Sequence, residues 1–115
     1  MTDNLENPVE TSVLEELKEV LADDFSQLVN TYLDDANARM ERLRTAAESA
    51  EMQTVKSEAH ALKGSSKNLG AFPLGDLYAE MENMGNQESS EHIPALMARI
   101  ESELVRVESF LRGQI

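Results

Sequence analysis

Apolar residues recur at steps of three and four along most of this chain, the spacing that places them on one face of an α-helix. The clearest stripe predicts a long amphipathic helix that begins near Asp23–Asp24. Its apolar positions are Phe25, Leu28, Val29, Tyr32, Leu33, Ala36, Met40 and Leu43. A second stripe, towards the C-terminus, has the 4-3-4-3-4 spacing typical of the seam between antiparallel helices. It consists of Ile93, Met97, Ile100, Leu104, Val107 and Leu111.

Weaker signals predict three more helices. Ser12 and Glu15 have the spacing of a capping box, which favours a short first helix with a brief apolar stripe. That stripe is Leu14, Leu17 and Leu21. After a weak break around Ser49–Glu51, a third helix is predicted from about Met52 to Leu69, with Gly70 as its C-cap residue.

Pro73 suits the first turn of a fourth helix, since proline is favoured at that position. The apolar positions of this helix are Leu74, Leu77, Tyr78, Met81 and Met84. A polar loop is predicted from Gly85 to His92, before the C-terminal stripe. Most methionines lie in or beside the stripes, so we interpret them as core residues and not as a soft-metal or peptide-binding surface.

Together these segments predict an all-α fold, an antiparallel up-and-down four-helix bundle with a short additional N-terminal helix. No segment has a convincing period of two, and aromatic residues make up only 4% of the chain, which argues against a β-sandwich. A chain of 115 residues has room for one domain. We expect residues 1–10 to form a flexible tail and residues 11–115 to form the single domain.

Charge and composition exclude several classes of function. The formal net charge of −12 opposes binding to nucleic-acid phosphates or to anionic membrane surfaces. The chain has no cysteine, which excludes disulfides, thiol catalysis and cysteine-bound metals. No apolar run is long enough to span a membrane, and the N-terminus lacks the pattern of a secretory signal. We therefore expect a cytoplasmic protein.

Most catalytic and metal-binding patterns are missing or incomplete. Gly70 and Gly75 have the spacing of the glycines that open a phosphate-binding loop, but Asp76 and Leu77 follow where Lys and Ser/Thr are needed. The two histidines lack the close spacing of a helical metal pair, so no metal site is predicted. His92 lies in the predicted polar loop, where an ordinary surface role is expected.

The other histidine, His60, has a distinctive position on its helix. On a wheel of about 100° per residue, the apolar residues of the third helix and Ser66 cluster on one face, and His60 lies about 140° from Val55. Gly64 and the lysines at 56, 63 and 67 share the side of His60. The imidazole is therefore predicted to face solvent within a row of lysines.

These residue types are the ones that transient phosphorylation of His60 on nitrogen requires. Three lysines against Glu58 give residues 53–75 a net charge of +2 in an acidic chain, so a bound phosphoryl group meets a locally positive surface. A neutral imidazole is nucleophilic near pH 7. Gly64, one turn further on, leaves space for an approaching surface at a cost in helix propensity. Histidines among lysines also occur on ordinary solvated helix faces, so the residues alone leave both interpretations open.

The segment His60–Ala71, which reads HALKGSSKNLGA, resembles the signature of histidine-containing phosphotransfer (HPt) domains. In that signature His-x-Leu-Lys-Gly is followed by a small polar pair and then by Leu-Gly-Ala. The resemblance extends over most of the chain. Phe25–Leu43 is similar to the long second helix of the family, and Leu77–Glu82 resembles its Leu-x-x-x-Leu-Glu run, with Met81 replacing the second leucine.

The resemblance implies that His60 accepts a phosphoryl group from the aspartate of one response-regulator receiver domain and passes it to another. It further implies that Lys63 balances the phosphate charge, with a smaller contribution from Lys67, and that Gly64 leaves room for the receiver to dock. The roles of Lys67 and Lys56 are less defined, because these positions vary in the family. The expected partners are receiver domains of hybrid sensor kinases and response regulators. No intrinsic cofactor is expected, since Mg²⁺ would belong to the receiver.

The resemblance further implies a free-standing, monomeric phosphoryl carrier that is not an enzyme in the strict sense and has no ATP-dependent autokinase activity. Two alternatives remain. One is a helical-bundle module that scaffolds partners without chemistry. The other is the phosphoacceptor domain of a sensor kinase, although the Ala-Leu-Lys-Gly that follows His60 differs from the acidic-and-proline pattern of such domains.

Overall fold

The computed structural model describes residues 7–87 and 90–115, and this part of the chain is entirely helical apart from its connections. The helices are α1 (Thr11–Leu21), α2 (Phe25–Glu48), α3 (Met52–Asn68), α4 (Phe72–Gln87) and α5 (Ile93–Arg112). A short 3-10 turn, Ala22–Asp24, joins the first two. The all-α prediction is confirmed, as are the four long helices and the short additional helix that precedes them.

The four long helices form a closed bundle. Helix α3 packs against α2 and α4, and α5 packs against α4 and α2. The connections before α3 and α4 are only a few residues long, so each helix runs back along its predecessor. None of the described helices is long and apolar enough to cross a membrane.

The turn between α3 and α4 confirms the predicted role of Gly70. Its φ of 85° lies in the left-handed region that glycine adopts without a steric penalty. The N–H of Gly70 donates to the carbonyl of Lys67, and the N–H of Ala71 donates to that of Ser66. This is a Schellman motif, which satisfies carbonyl groups at the end of α3 and directs the chain into α4.

The core consists largely of the predicted apolar stripes, but on α5 the prediction left out Leu96, which is buried, and the predicted Met97 is only partly buried. Met40 and Met81 are fully buried, while Met52, Met84 and Met97 pack against the core, as expected of gap-filling residues. Tyr32 extends from α2 to Ser66 on α3, and their hydroxyl groups share a buried hydrogen bond of 2.8 Å. Burial raises the pKa of Tyr32 to about 12. This bond satisfies the polar group that Ser66 places in the core.

The beginning of the domain differs from the prediction. Helix α1 begins at Thr11, and the Ser12 hydroxyl donates to the Glu10 carboxylate instead of capping the backbone. Val9 is fully buried, and the N–H of Glu10 donates to the carbonyl of Gly70. The prediction of a flexible tail up to residue 10 is therefore wrong for Val9 and Glu10, because an apolar side chain and a backbone hydrogen bond attach them. Pro8 is buried as well, Asn7 is exposed, and residues 1–6 of the predicted tail lie outside the described residues.

The predicted loop from Gly85 to His92 begins too early. Helix α4 continues to Gln87, and Gly85 is buried inside it. Gly85 does not begin a loop, because it is a point of close approach between α4 and Lys56 of α3. Positions 88 and 89 of the predicted loop lie outside the described residues.

Candidate functional site

Helix α3 has the predicted orientation. Val55, Ala59, Leu62 and Ser66 are completely buried on one side of it. His60 lies on the other side, and 68% of its side chain is exposed. Since the amphipathic pattern fixes which face of α3 enters the core, the same pattern presents the imidazole to solvent.

A carboxylate on the neighbouring helix holds the imidazole. Nδ1 of His60 lies 2.8 Å from Oε2 of Glu82 on α4. The other carboxylate oxygen of Glu82, Oε1, lies 2.8 Å from Nζ of Lys63. Glu82 therefore bridges the histidine and the lysine that follows it by three positions, and the three side chains form one connected group.

This group fixes the chemical state of its members. The hydrogen bond from Lys63 holds the pKa of Glu82 below its usual range, with a further contribution from His60, so the carboxylate is ionised at neutral pH. An ionised carboxylate only accepts hydrogen bonds, so the proton of a neutral His60 lies on Nδ1. The lone pair is then on Nε2, which has no partner among the described residues and is available as a nucleophile.

The other two lysines of the predicted row differ from Lys63. Nζ of Lys67 lies 3.2 Å from a carboxylate oxygen of Asp76, at the start of α4. Lys56 has no ion pair within residues 7–87 and 90–115, and its backbone lies against Gly85. The structure therefore joins only Lys63 to His60 through a shared partner.

Gly64 is open to its surroundings. A Cβ atom added there would have no heavy atom within 4 Å. Gly64 therefore does not pack against a neighbouring helix. Within α4, Gly75 and Gly85 differ from Gly64, because an added Cβ atom at either position would closely approach a residue of α3.

The remaining candidate residues are at ordinary positions. His92 is exposed and precedes α5 as its N-cap residue, without a side-chain capping bond. Within the described ranges, no group of three or more His, Asp or Glu side chains is arranged to hold a metal ion.

Sequence reasoning did not assign a role to Glu82. In the sequence, this residue is distinguished only as the last position of the Leu77–Glu82 run. The sequence does show that Glu82 is a carboxylate on the predicted fourth helix and that it follows the apolar positions of the core face of that helix. Which residue of α3 it meets depends on the register of the two helices, which periodicity does not contain.

The structure is thus a helical bundle that presents an exposed histidine, held through one ring nitrogen by a carboxylate that also binds a lysine. The Hpt domain family matches residues 27–110, and the chain belongs to this family. The resemblance found in the His60–Ala71 segment is thus confirmed. Proteins of this family carry phosphoryl groups and interact with receiver domains in phosphorelays, and they are not autokinases.

The fold is shared with a protein of known structure. The crystal structure of histidine-containing phosphotransfer protein B (HptB) from Pseudomonas aeruginosa PAO1 matches with a TM-score of 0.90 and 28% sequence identity, over 94% of each chain. No curated protein sequence gives a match. The family and the fold together give this chain a role in histidine phosphotransfer, within a phosphorelay of two-component signalling.

Proposed function

We propose that His60 accepts a phosphoryl group from the aspartyl phosphate of one receiver domain and passes it to the aspartate of another response regulator. The observation that carries this proposal is that one ring nitrogen of His60 is held by a carboxylate while the other is free to react. Nδ1 is bonded to Glu82 at 2.8 Å, and the rest of the ring faces solvent in a side chain that is 68% exposed.

In the accepting step, the lone pair of Nε2 attacks phosphorus and forms the P–N bond. The bond between phosphorus and the aspartyl oxygen breaks, and its electron pair leaves with the receiver carboxylate. The Nδ1 proton stays in the hydrogen bond to Glu82, which offsets the positive charge that develops on the ring. The donating step is the reverse of this reaction, with the aspartate of the second receiver as the nucleophile.

Lys63 is proposed to balance the charge of the phosphoryl group. Its ammonium group is held by Glu82 on the same side of α3 as the imidazole, and 31% of its side chain is exposed. A lysine can rotate its three donors towards a new anion, so exchange from carboxylate to phosphate needs only a change of side-chain torsions. Lys67 is proposed to contribute less, because Asp76 already pairs with it.

Gly64 is proposed to admit the receiver surface. It lies one turn beyond His60, and the space above it is open. Mg²⁺ would be supplied by the receiver partner. We further propose that the protein acts as a cytoplasmic monomer without intrinsic cofactor, takes no phosphoryl group directly from ATP and binds neither nucleic acid nor membrane. The net charge of −12 supports the last of these points.

A chase experiment tests the relay against a scaffold without chemistry. A receiver domain phosphorylated with labelled acetyl phosphate is mixed with the protein, the labelled protein is isolated, and a second receiver is added. The proposal predicts that label appears on the protein and then moves to the second receiver. A protein that binds both receivers without ever carrying label would be a scaffold, and the proposal would be wrong.

A further inference from the structure

Helices α3 and α4 come into close backbone contact at Gly85. A Cβ atom placed on this residue would lie 2.8 Å from the backbone nitrogen of Lys56 and 3.0 Å from its Cα and Cβ atoms. The first distance is shorter than real Cβ atoms show, and the other two are tighter than most real Cβ contacts. Because two of the three neighbouring atoms belong to the backbone, a larger residue at position 85 requires the helices to move apart.

This contact is next to the proposed phosphorylation site on both helices. Lys56 lies one turn before His60 on α3, and Glu82 lies just under one turn before Gly85 on α4. The hydrogen bond between His60 and Glu82 is 2.8 Å long, near the short end of the range of about 2.7–3.2 Å for N–H···O bonds. A displacement of α4 by about 1 Å would therefore weaken or break it.

We propose that Gly85 is a positioning residue for phosphoryl transfer: it brings α4 close enough to α3 for Glu82 to hold both His60 and Lys63. This inference rests on the proposed role of His60. The spacing of the helices selects the tautomer of the imidazole, because Glu82 must reach Nδ1 to keep the lone pair on Nε2. When the hydrogen bond between Glu82 and Nδ1 is lost, the imidazole returns to the tautomer that it prefers in solution, in which Nε2 carries the proton.

The other close glycine of α4 provides a matched control. A Cβ atom at Gly75 would lie 2.6 Å from Cγ and 2.9 Å from Cε of Lys67. These are side-chain atoms of a flexible residue with 41% of its side chain exposed, so the lysine can move aside while the backbones keep their distance. Gly64, with open space around it, provides a second control.

The test compares Gly85→Ala, Gly75→Ala and Gly64→Ala with the wild-type protein in two measurements. The ¹⁵N chemical shifts of His60 at neutral pH report which ring nitrogen carries the proton. Single-turnover transfer from a phosphorylated receiver reports the rate. We expect Gly85→Ala to move the proton towards Nε2 and to slow transfer by about tenfold or more. Both controls should keep the wild-type tautomer.

A double-mutant cycle separates positioning from general destabilisation. Glu82→Ala removes the acceptor, so adding Gly85→Ala to it should slow transfer no further. The proposal would be overturned if Gly85→Ala slowed transfer as much in the Glu82→Ala background as in the wild type. It would also be overturned if Gly85→Ala folded and kept the wild-type tautomer and transfer rate.

If Gly85→Ala does not fold, Glu82→Asp carries the test, since it withdraws the carboxylate by one methylene group and leaves the helix contact intact. The proposal predicts the same shift of tautomer and a slower transfer, and wild-type behaviour of Glu82→Asp would overturn it. If the wild-type protein took no label on His60, the proposed function itself would fail, which is a distinct outcome.

Discussion

Nδ1 of His60 lies 2.8 Å from Oε2 of Glu82, although the two residues are 22 positions apart and on different helices. The same carboxylate reaches Nζ of Lys63. One acidic residue thus orients the proposed nucleophile and holds the cation proposed to balance the phosphoryl charge. The site is therefore a product of how α3 and α4 pack, and not of the α3 motif alone.

The ionisation of Glu82 should appear in the stability of the protein. Its pKa is lowered in the folded state, so its contribution to stability is present above the unfolded pKa and is lost as the pH falls through the folded pKa. The unfolded value for glutamate is about 4.3. The free energy of unfolding should differ between wild type and Glu82→Gln by a constant amount above about pH 5. This difference should shrink in more acidic solution. Urea denaturation from neutral pH down to about pH 3 measures it. A difference that grows on acidification would contradict the assignment.

Removal of the Lys63 ammonium should slow phosphoryl transfer. If this group makes a charge-assisted contact in the transition state, Lys63→Ala should cost about 1–3 kcal/mol of activation free energy. That corresponds to roughly a five- to 150-fold lower rate.

Lys56→Ala is the matched control for Lys63→Ala. It keeps the backbone and Cβ atoms that meet Gly85 and removes a cation that has no ion pair within the described residues. It should therefore have a smaller effect in single-turnover transfer from a phosphorylated receiver. Equal rates for wild type and Lys63→Ala would remove the support for the electrostatic role.

Substitutions at Gly64 should affect docking and not the helix. With no heavy atom within 4 Å of an added Cβ, Gly64→Ala should raise stability by up to about 1 kcal/mol through helix propensity. Gly64→Gln places a long side chain one turn from His60 and should slow transfer from a receiver, while phosphorylation by the small donor phosphoramidate changes less. Circular-dichroism melts and transfer assays on both variants measure this. A lower melting temperature for Gly64→Ala would argue against an open site.

The buried hydrogen bond between Tyr32 and Ser66 should stabilise the fold without a part in the chemistry. Ser66→Ala leaves the Tyr32 hydroxyl buried without its partner, at a cost of about 1–3 kcal/mol. Replacing both residues, in Tyr32→Phe/Ser66→Ala, should recover part of that loss, because neither hydroxyl is then buried. Chemical denaturation of the two single variants and the double variant measures the coupling. Strictly additive losses would show that the two hydroxyls do not interact.

The sequence predicts the helices and their inner faces well, because both follow from periodicity. Helix α3 illustrates this: the wheel placed Ser66 on the core face and His60 opposite, and the structure has Ser66 buried and His60 exposed. The exposure of Gly64 was also predicted. These properties depend on one helix at a time.

Properties that depend on two helices were not predictable. Gly64 and Gly85 are both glycines within helices, yet one is open and the other meets the backbone of Lys56. The polar residues that follow Gly85 favour a loop in the sequence, whereas the structure continues α4 there because Gly85 is buried against α3. The partnership of Glu82 with His60 has the same origin, because it requires the register in which α4 lies along α3.

The most direct test of the account is to locate the phosphoryl group after transfer from a labelled receiver. We expect an adduct that is labile in acid and stable in base, on His60 and not on His92, because only His60 combines exposure with a carboxylate on Nδ1. His60→Gln should remain folded and take no label, while His92→Gln should be labelled like the wild type. A folded His60→Gln protein that still accepts the phosphoryl group would contradict the account.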